Sequence, residues 1–286
     1  MSTTNVVEQA QGFVVTNQQR MLEELLGFLS IPSISTAPHH KPDVDACANF
    51  VKAQFERLGF ETRLDPTPGH PVVFAQHKQA GPDRPTILVY GHYDVQPPEP
   101  LELWESPPFI RDQTGSQPAG VDWGKPAVRD GKIYARGAAD DKGQVFAHIN
   151  GLEAVLAAGA GQLPVNVLFV VEGEEEIGSP NLLPWLKTNL DQLACDAVVI
   201  SDTAMYAPGV PSITYGLRGL TYFEVHVDAA DHDLHSGVFG GGVANPINAL
   251  AEIISKLKDD QGRVTVPGFY DNVVDLSADE RSAWAK

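Results

Sequence analysis

The chain has 286 residues, of which 43% are hydrophobic and 20% charged, enough for a full hydrophobic core, and this excludes collagen-like, coiled-coil and broadly disordered proteins. Lysine and arginine number 20 against 37 aspartate and glutamate residues, so the formal net charge is −17, which disfavours binding to nucleic acid or to anionic membranes. No apolar run approaches the roughly 20 residues of a membrane helix, and no secretory signal opens the chain, so we expect a soluble cytoplasmic protein.

Two amphipathic helices are predicted at the start of the chain. Apolar residues recur at three- and four-residue steps through 5–30 and again through about 43–58, which is the spacing of one helix face. The pair Ile31-Pro32 ends the first helix, because a residue that precedes proline avoids the α region.

Four short apolar runs follow, each rich in β-branched residues and bounded by glycine, proline or aspartate, as is typical of strands. They span residues 71–76, 86–91, 165–172 and 197–202. Helical stretches at 144–156 and 180–190 lie between strands. Because strands alternate with helices and several strands are apolar on both faces, the sequence predicts an α/β fold with a mostly parallel sheet flanked by helices.

The sequence pattern changes near residue 212, where we place a domain boundary. Residues 1–212 form the first domain, and 213–286 begin a second domain of the α+β class. In the second domain, 221–228 alternates like a strand with one face in water. A glycine-rich loop at 237–242 and an amphipathic helix at about 246–258 are predicted after it.

Candidate site residues lie at the ends of the predicted strands, where open α/β sheets bind their ligands. His92 and Asp94 are two residues apart, so their side chains can emerge on the same side of an extended strand end. A metal-binding imidazole usually donates its other N–H group to a carboxylate, and Asp94 is placed to accept it. Asp202 ends the last apolar run. Taken alone, each of these residues is as typical of an ordinary strand end.

Asp140 lies in the segment RGAADDKG (136–143), which opens a predicted helix. Aspartate at a helix N-terminus commonly caps free N–H groups, so capping and metal binding both fit this residue. The glycine spacing matches neither a P-loop nor a dinucleotide-binding fingerprint, which disfavours phosphate binding.

The segment EGEEEIGS (172–179) carries a run of carboxylates directly after the apolar stretch VNVLFVV. Acidic runs are usually solvated, but here they emerge from a buried strand, and neighbouring carboxylates that repel one another are stabilised by a cation. Glu175 and Glu176 can then take different roles, one binding a metal and one handling protons. Histidine and carboxylates without thiolate favour zinc or manganese in a hydrolytic site.

At these residues the sequence resembles the di-zinc metallopeptidases that include cytosolic dipeptidases, aminoacylases and glutamate carboxypeptidases. The matching stretches are GHYDVQP (91–97), LWESPPF (103–109), RGAADDKG (136–143), EGEEEIGS (172–179), SDT (201–203), ITYGLRG (213–219) and DLHSGVFGGGVANP (233–246). The combination of GHYDVQP with LWESPPF is similar to the dipeptidase branch of that family.

The resemblance implies a site with two zinc ions, with manganese or cobalt as alternatives. His92 and Asp202 would bind one ion, Asp140 would bridge both ions, and Glu176 would be a terminal ligand of the second. With two metals roughly 3.5–4 Å apart, a bridging carboxylate is required.

The resemblance also implies the catalytic roles. Glu175 would be the general base, and Asp94 would orient His92 without binding metal. His235 would contact the substrate carbonyl, typically from the partner subunit of a dimer. Family members carry a cis peptide bond after the bridging aspartate, so a cis bond is expected between Asp140 and Asp141.

The family's remaining zinc ligand is a histidine near the end of a much longer chain, and no histidine of this sequence occupies that position. We therefore expect an N-terminal fragment, with an incomplete catalytic domain and a truncated lid or dimerisation domain that would form a homodimer at full length. The predicted function is metal-dependent hydrolysis of dipeptides or short peptides. An aminoacylase or carboxypeptidase on the same scaffold, and a catalytically silent fragment or binding module, stay open as alternatives.

Overall fold

The computed structural model describes residues 3–110, 123–210 and 212–285. The chain divides into two compact units, Met1–Thr214 and Tyr215–Lys286. That each of these units is an independent domain stays a prediction. Among the described residues, no helix combines the length and the apolar character needed to span a membrane.

The helices of the first unit confirm the periodicity read from the sequence. They are α1 (Thr3–Leu29), α2 (Lys41–Arg57), α3 (Lys142–Ala158) and α4 (Leu182–Asn189). Helix α1 ends before Ile31-Pro32, as expected from the restriction that proline places on the preceding residue. A proline lies in the first turn of α2, where its missing N–H group has no intrahelical partner to lose.

A five-stranded sheet forms the centre of the first unit. Its strands and those of a separate hairpin are β1 (Glu61–Asp65), β2 (Val72–His77), β3 (Thr86–His92), β4 (Val128–Arg129), β5 (Lys132–Ile133), β6 (Asn166–Glu172) and β7 (Ala197–Ile200). The strand order in the sheet is β1-β2-β6-β3-β7, and β4 pairs with β5 in a separate two-stranded sheet. Strand β3 is parallel to both β6 and β7, whereas β2 is antiparallel to β6 and to β1. Four of the five strands therefore run in one direction, which confirms the mostly parallel sheet.

The centre of the sheet is buried on both faces, and β6 shows this most clearly. Every residue of β6 is buried. Val167, Phe169 and Val171 belong to a core shared with α1, α2 and α3, while Leu168 and Val170 pack with α4 on the opposite face. Alternate side chains of a strand point to opposite faces, so one strand contributes to both cores. The predicted α/β layers are confirmed.

The second unit contains the helices α5 (Ser236–Phe239), α6 (Pro246–Ser255) and α7 (Ala278–Trp284). Helix α6 confirms the predicted amphipathic helix, whereas α5 occupies part of the predicted glycine-rich loop. The predicted strand at 221–228 is wrong, because the described residues include no segment that pairs with it. A strand is stabilised by its ladder of hydrogen bonds, so alternation without a partner does not produce one.

Candidate metal centre

The carboxyl ends of β3, β6 and β7 lie along one edge of the sheet, because these strands are parallel neighbours. Strand β3 ends at His92 itself. The other predicted site residues of this edge follow the strand ends: Asp94 after β3, Glu175 and Glu176 after β6, and Asp202 after β7. The fold therefore gathers residues that are far apart in the sequence at one place, as parallel sheets do at their ligand sites.

Asp140 reaches this edge by a different route. The expectation that the candidate site residues lie at the ends of the predicted strands is wrong for Asp140, because the segment RGAADDKG follows the β4–β5 hairpin and leads into α3. Helix α3 starts at this edge because it connects two parallel strands, β3 and β6, and must carry the chain back to the opposite edge. The Asp140-Asp141 peptide bond is cis, which confirms the expectation.

Three of the predicted ligands form one compact group. Ligand atoms of His92, Asp140 and Asp202 all lie within 4.8 Å of one another. The Nε2 atom of His92 is 3.1 Å from Asp140 Oδ1 and 3.7 Å from Asp202 Oδ2. Glu175 adjoins the group, with its Oε2 atom 4.0 Å from the same Nε2 atom.

The donor set of this group fits a divalent metal ion. One imidazole nitrogen and several carboxylate oxygens are the ligands that zinc and manganese accept in hydrolytic sites. The imidazole is fully buried, while Asp140 exposes 61% of its side chain, so the group opens to solvent on the side of that carboxylate. Beside it, the buried Asp141 carboxyl leaves its Oδ1 atom without a hydrogen-bond partner. The residues present therefore fit the metal that the resemblance implies.

Glu176 and His235, two further predicted site residues, are described by their local contacts. Glu176 Oε2 accepts a hydrogen bond of 2.8 Å from Gln96 Nε2. His235 belongs to the second unit, where its Nδ1 atom accepts a hydrogen bond from the Gly237 N–H group at the start of α5. The proposed roles of both residues stay predictions.

Asp94 connects the imidazole to the acidic segment. Its side chain is fully buried, and its Oδ1 atom lies 3.3 Å from His92 Nδ1. The backbone N–H groups of Glu175 and Glu176 each donate a hydrogen bond of 3.2 Å to this carboxylate. His92 Nδ1 also lies 3.1 Å from the backbone carbonyl of Asp94. These contacts hold the His92 ring with its Nε2 atom toward the carboxylates of Asp140 and Asp202.

The electrostatics of the site reflect an excess of buried negative charge. Burial disfavours the charged imidazole, but the Asp94, Asp141 and Glu175 carboxylates outweigh it and raise the pKa of His92 to about 10. Burial raises the pKa of Asp141 to about 7. Burial also raises the pKa of Glu175 and of Asp202 above their usual values. A cation at this position would relieve the repulsion between these carboxylates.

We expect zinc affinity to rise by about tenfold per pH unit for each proton displaced, between pH 5.5 and pH 8. A ring with a pKa of about 10 carries a proton throughout this range in the metal-free protein, and a metal ion must displace that proton to bind His92. Isothermal calorimetry in two buffers with different ionisation enthalpies counts the protons released.

The exposed His39 provides the control, since His39→Ala should leave this pH dependence unchanged. An affinity that is flat over this pH range would show that the His92 ring is already neutral in the metal-free protein.

Several contacts that support the site were not predicted. Glu172, the last residue of β6, accepts hydrogen bonds from Tyr90 Oη at 2.6 Å and from Ser179 Oγ at 2.7 Å. The buried Asp141 carboxyl accepts a hydrogen bond of 3.1 Å from the backbone N–H group of His92. The sequence feature that accompanies this contact is the glycine at position 91, because a Cβ atom there would collide with the Asp141 carboxylate.

Comparison with known proteins relates this arrangement to characterised families. Residues 88–267, more than half of the chain, match the model of peptidase family M20/M25/M40. The Cys-Gly metallodipeptidase of Schizosaccharomyces pombe is 35% identical over 268 residues, which cover 90% of this chain and 53% of that protein. The beta-Ala-His dipeptidase of Homo sapiens is 38% identical over 212 residues, which cover 73% of this chain and 38% of that protein.

A solved structure supports the same relationship. The M20 family metallo-carboxypeptidase Sso-CP2 from Sulfolobus solfataricus superimposes with a TM-score of 0.69 at 36% identity, covering 92% of this chain and 55% of that chain. This chain spans about half the length of the curated relatives it matches, or less. The matched family model includes every residue of the compact group and the acidic segment beside it. The chain belongs to peptidase family M20/M25/M40.

Proposed function

We propose that this chain carries the catalytic centre of a metal-dependent dipeptidase that hydrolyses dipeptides or short peptides with two zinc ions. The observation that carries this proposal is the compact group of His92, Asp140 and Asp202, with the Glu175 carboxylate beside it. The dipeptidase relatives support the substrate class. A homodimer formed through the second unit and a cytoplasmic location belong to the same proposal.

Four side chains would hold the metal ions. His92 and Asp202 would bind the first ion, Asp140 would be shared between both, and Glu176 would bind the second. When bound, zinc supplies Lewis acidity, which makes water acidic enough to lose a proton near neutral pH and polarises a peptide carbonyl. The excess of carboxylates over basic groups among the neighbours of His92 favours a doubly charged cation here.

Glu175 is the proposed general base. Its carboxylate is partly exposed, with 36% of the side chain open to solvent, so water and substrate can reach it. A base works best when its pKa lies near the pH of the reaction, and burial raises the pKa of Glu175 in that direction. It would take a proton from the attacking water and return it to the leaving amine. His235 would donate a hydrogen bond to the substrate carbonyl oxygen.

Asp94 is the proposed orienting residue. It contacts the His92 ring through Nδ1 and holds the Glu175 and Glu176 N–H groups with the same carboxylate. One buried side chain thereby sets the relative positions of a metal ligand and of the base. Groups that orient metal ligands commonly affect metal affinity or activity by roughly 10–100-fold.

The zinc-loaded chain is expected to hydrolyse free dipeptides faster than N-acyl amino acids or N-blocked peptides. Cys-Gly, beta-Ala-His, an N-acetyl amino acid and an N-blocked dipeptide form the test panel, with released amino acid measured by chromatography. The same protein after chelation provides the blank.

Each alternative has its own outcome in this panel. Faster turnover of the N-acetyl amino acid would indicate an aminoacylase, and faster turnover of the N-blocked dipeptide would indicate a carboxypeptidase, the activity named for the Sulfolobus structure. A chain that holds zinc but turns over none of the four compounds would favour the catalytically silent fragment or binding module over an active dipeptidase.

A further inference from the structure

Glu174 differs from the two glutamates that follow it. Its side chain is buried, with 4% of the residue exposed, whereas Glu175 and Glu176 are partly exposed. A buried carboxylate is unfavourable unless hydrogen bonds satisfy its oxygens. Its partners therefore indicate what this residue does.

Both carboxylate oxygens of Glu174 have partners outside the acidic segment. Oε1 accepts hydrogen bonds from the His70 backbone N–H group at 3.2 Å and from Asn181 Nδ2 at 3.1 Å. Oε2 accepts a hydrogen bond from Asn181 Nδ2 at 2.9 Å. One side chain thereby joins the loop between β1 and β2 to the residue that precedes α4.

The loop that receives this carboxylate is shaped for it. A Cβ atom at Gly69 would overlap Glu174 Oε1, so only glycine allows this approach. The loop is held by Thr67, whose Oγ1 atom accepts a hydrogen bond from the Gly69 N–H group and donates one to the His70 carbonyl. The contact therefore depends on the conformation of this loop as well as on the carboxylate.

The backbone of Glu174 also stabilises the acidic segment. Its carbonyl accepts hydrogen bonds from the Ile177 N–H group at 3.2 Å and from the Ser179 N–H group at 2.8 Å. Because its side chain and its carbonyl are both hydrogen-bonded, Glu174 determines the direction of the backbone through Glu175 and Glu176. Their N–H groups then reach Asp94.

We propose that Glu174 is a positioning residue. Its buried carboxylate anchors the acidic segment so that Glu175 and Glu176 face the compact group. This inference rests on the proposed function for the roles of those two glutamates. In this role Glu174 would act through Glu175 and Glu176, since its carboxylate is bonded to the His70 N–H group and to Asn181. The three successive glutamates thus divide into one anchor and two site residues.

The test compares two variants that break the anchor from opposite sides. Glu174→Ala removes the carboxylate, and Gly69→Ala displaces it without changing the acidic segment. In both, amide hydrogen exchange at Glu175 and Glu176 in the metal-free protein should become at least about tenfold faster, because their bonds to Asp94 loosen. Cobalt affinity should fall by roughly 10–100-fold, with a changed visible absorption spectrum.

Two further variants serve as the rescue and the control. Glu174→Gln keeps an acceptor for the His70 N–H group, and rotation of the Asn181 amide supplies the complementary pairing, so this variant should retain most of the cobalt affinity. Gly151→Ala, a helix position where a Cβ atom meets nothing within 4 Å, should match the unmodified chain.

The outcomes separate this inference from the proposed function. Unchanged exchange at the Glu175 and Glu176 amides in Glu174→Ala, or in Gly69→Ala if the first variant does not fold, would overturn the positioning role. An unmodified chain that binds no cobalt would contradict the proposed function, while the exchange comparison would still decide the role of Glu174.

Discussion

Asp140→Ala is expected to abolish tight zinc binding by this chain. The carboxylate of Asp140 lies 3.1 Å from His92 Nε2, nearer than those of Asp202 and Glu175, and it is the ligand proposed to be shared by both ions. Its loss removes one ligand from each ion and an anionic charge from between them. Zinc per chain, measured by elemental analysis after dialysis, should fall well below the value of the unmodified chain.

The fold of this variant should survive, because 61% of the Asp140 side chain is exposed. Circular dichroism and thermal unfolding of the metal-free proteins check this point. Asp83→Ala is the matched control, since Asp83 is an exposed acid that precedes β3 at the opposite edge of the sheet. Zinc retained by Asp140→Ala at the level of Asp83→Ala would contradict the proposed site.

Much of the central fold could be predicted because its elements differ in period and in burial. The apolar run of β6 is buried on both faces, which left few alternatives to a central strand. Strand β1 was missed, because its sequence ETRLD is mostly polar and it lies at the end of the sheet, where pairing with β2 rather than apolar character makes it a strand. The two-residue strands β4 and β5 are too short to leave a periodic signal.

At 221–228 the sequence predicts a strand that the structure does not contain. Alternation reports which side chains would face water if a strand formed, but it carries no information about a neighbouring strand. The helix at 246–255 was predictable for the converse reason, since its hydrogen bonds lie within the segment itself. Asn245 also accepts a hydrogen bond from the Ile247 N–H group, which adds a local start signal.

The candidate site divides in the same way. The grouping of His92, Asp140 and Asp202 with Glu175 beside them could be predicted, because each residue lies in a short motif with a recognisable context. Glu174 lies inside one of these motifs, but its contact with His70 has no local signal, since the two residues are 104 positions apart in the sequence. Gln96, which donates to Glu176, is 80 residues from its partner. Contacts of this kind depend on how loops meet at the sheet edge, and no local pattern encodes them.

Glu175→Gln should separate chemistry from metal binding. Glutamine has nearly the same shape as glutamate but cannot accept a proton at neutral pH, so the turnover number for Cys-Gly or beta-Ala-His should fall by roughly 10²–10⁴-fold. Zinc per chain should stay at the level of the unmodified protein, because Glu175 is proposed to handle protons and not to bind metal. Both quantities are measured on the same samples.

The pH profile of the unmodified chain tests the same role independently. A general base acts in its deprotonated form, so activity should increase as the pH rises through the pKa of Glu175, which burial places above its usual value. Glu102→Gln, at an exposed position two residues before Trp104, should keep both the rate and the profile. Activity of Glu175→Gln within a few-fold of that control would show that another group takes the proton. Zinc lost together with activity would instead make Glu175 a metal ligand, so the pair of measurements assigns the residue to one role or the other.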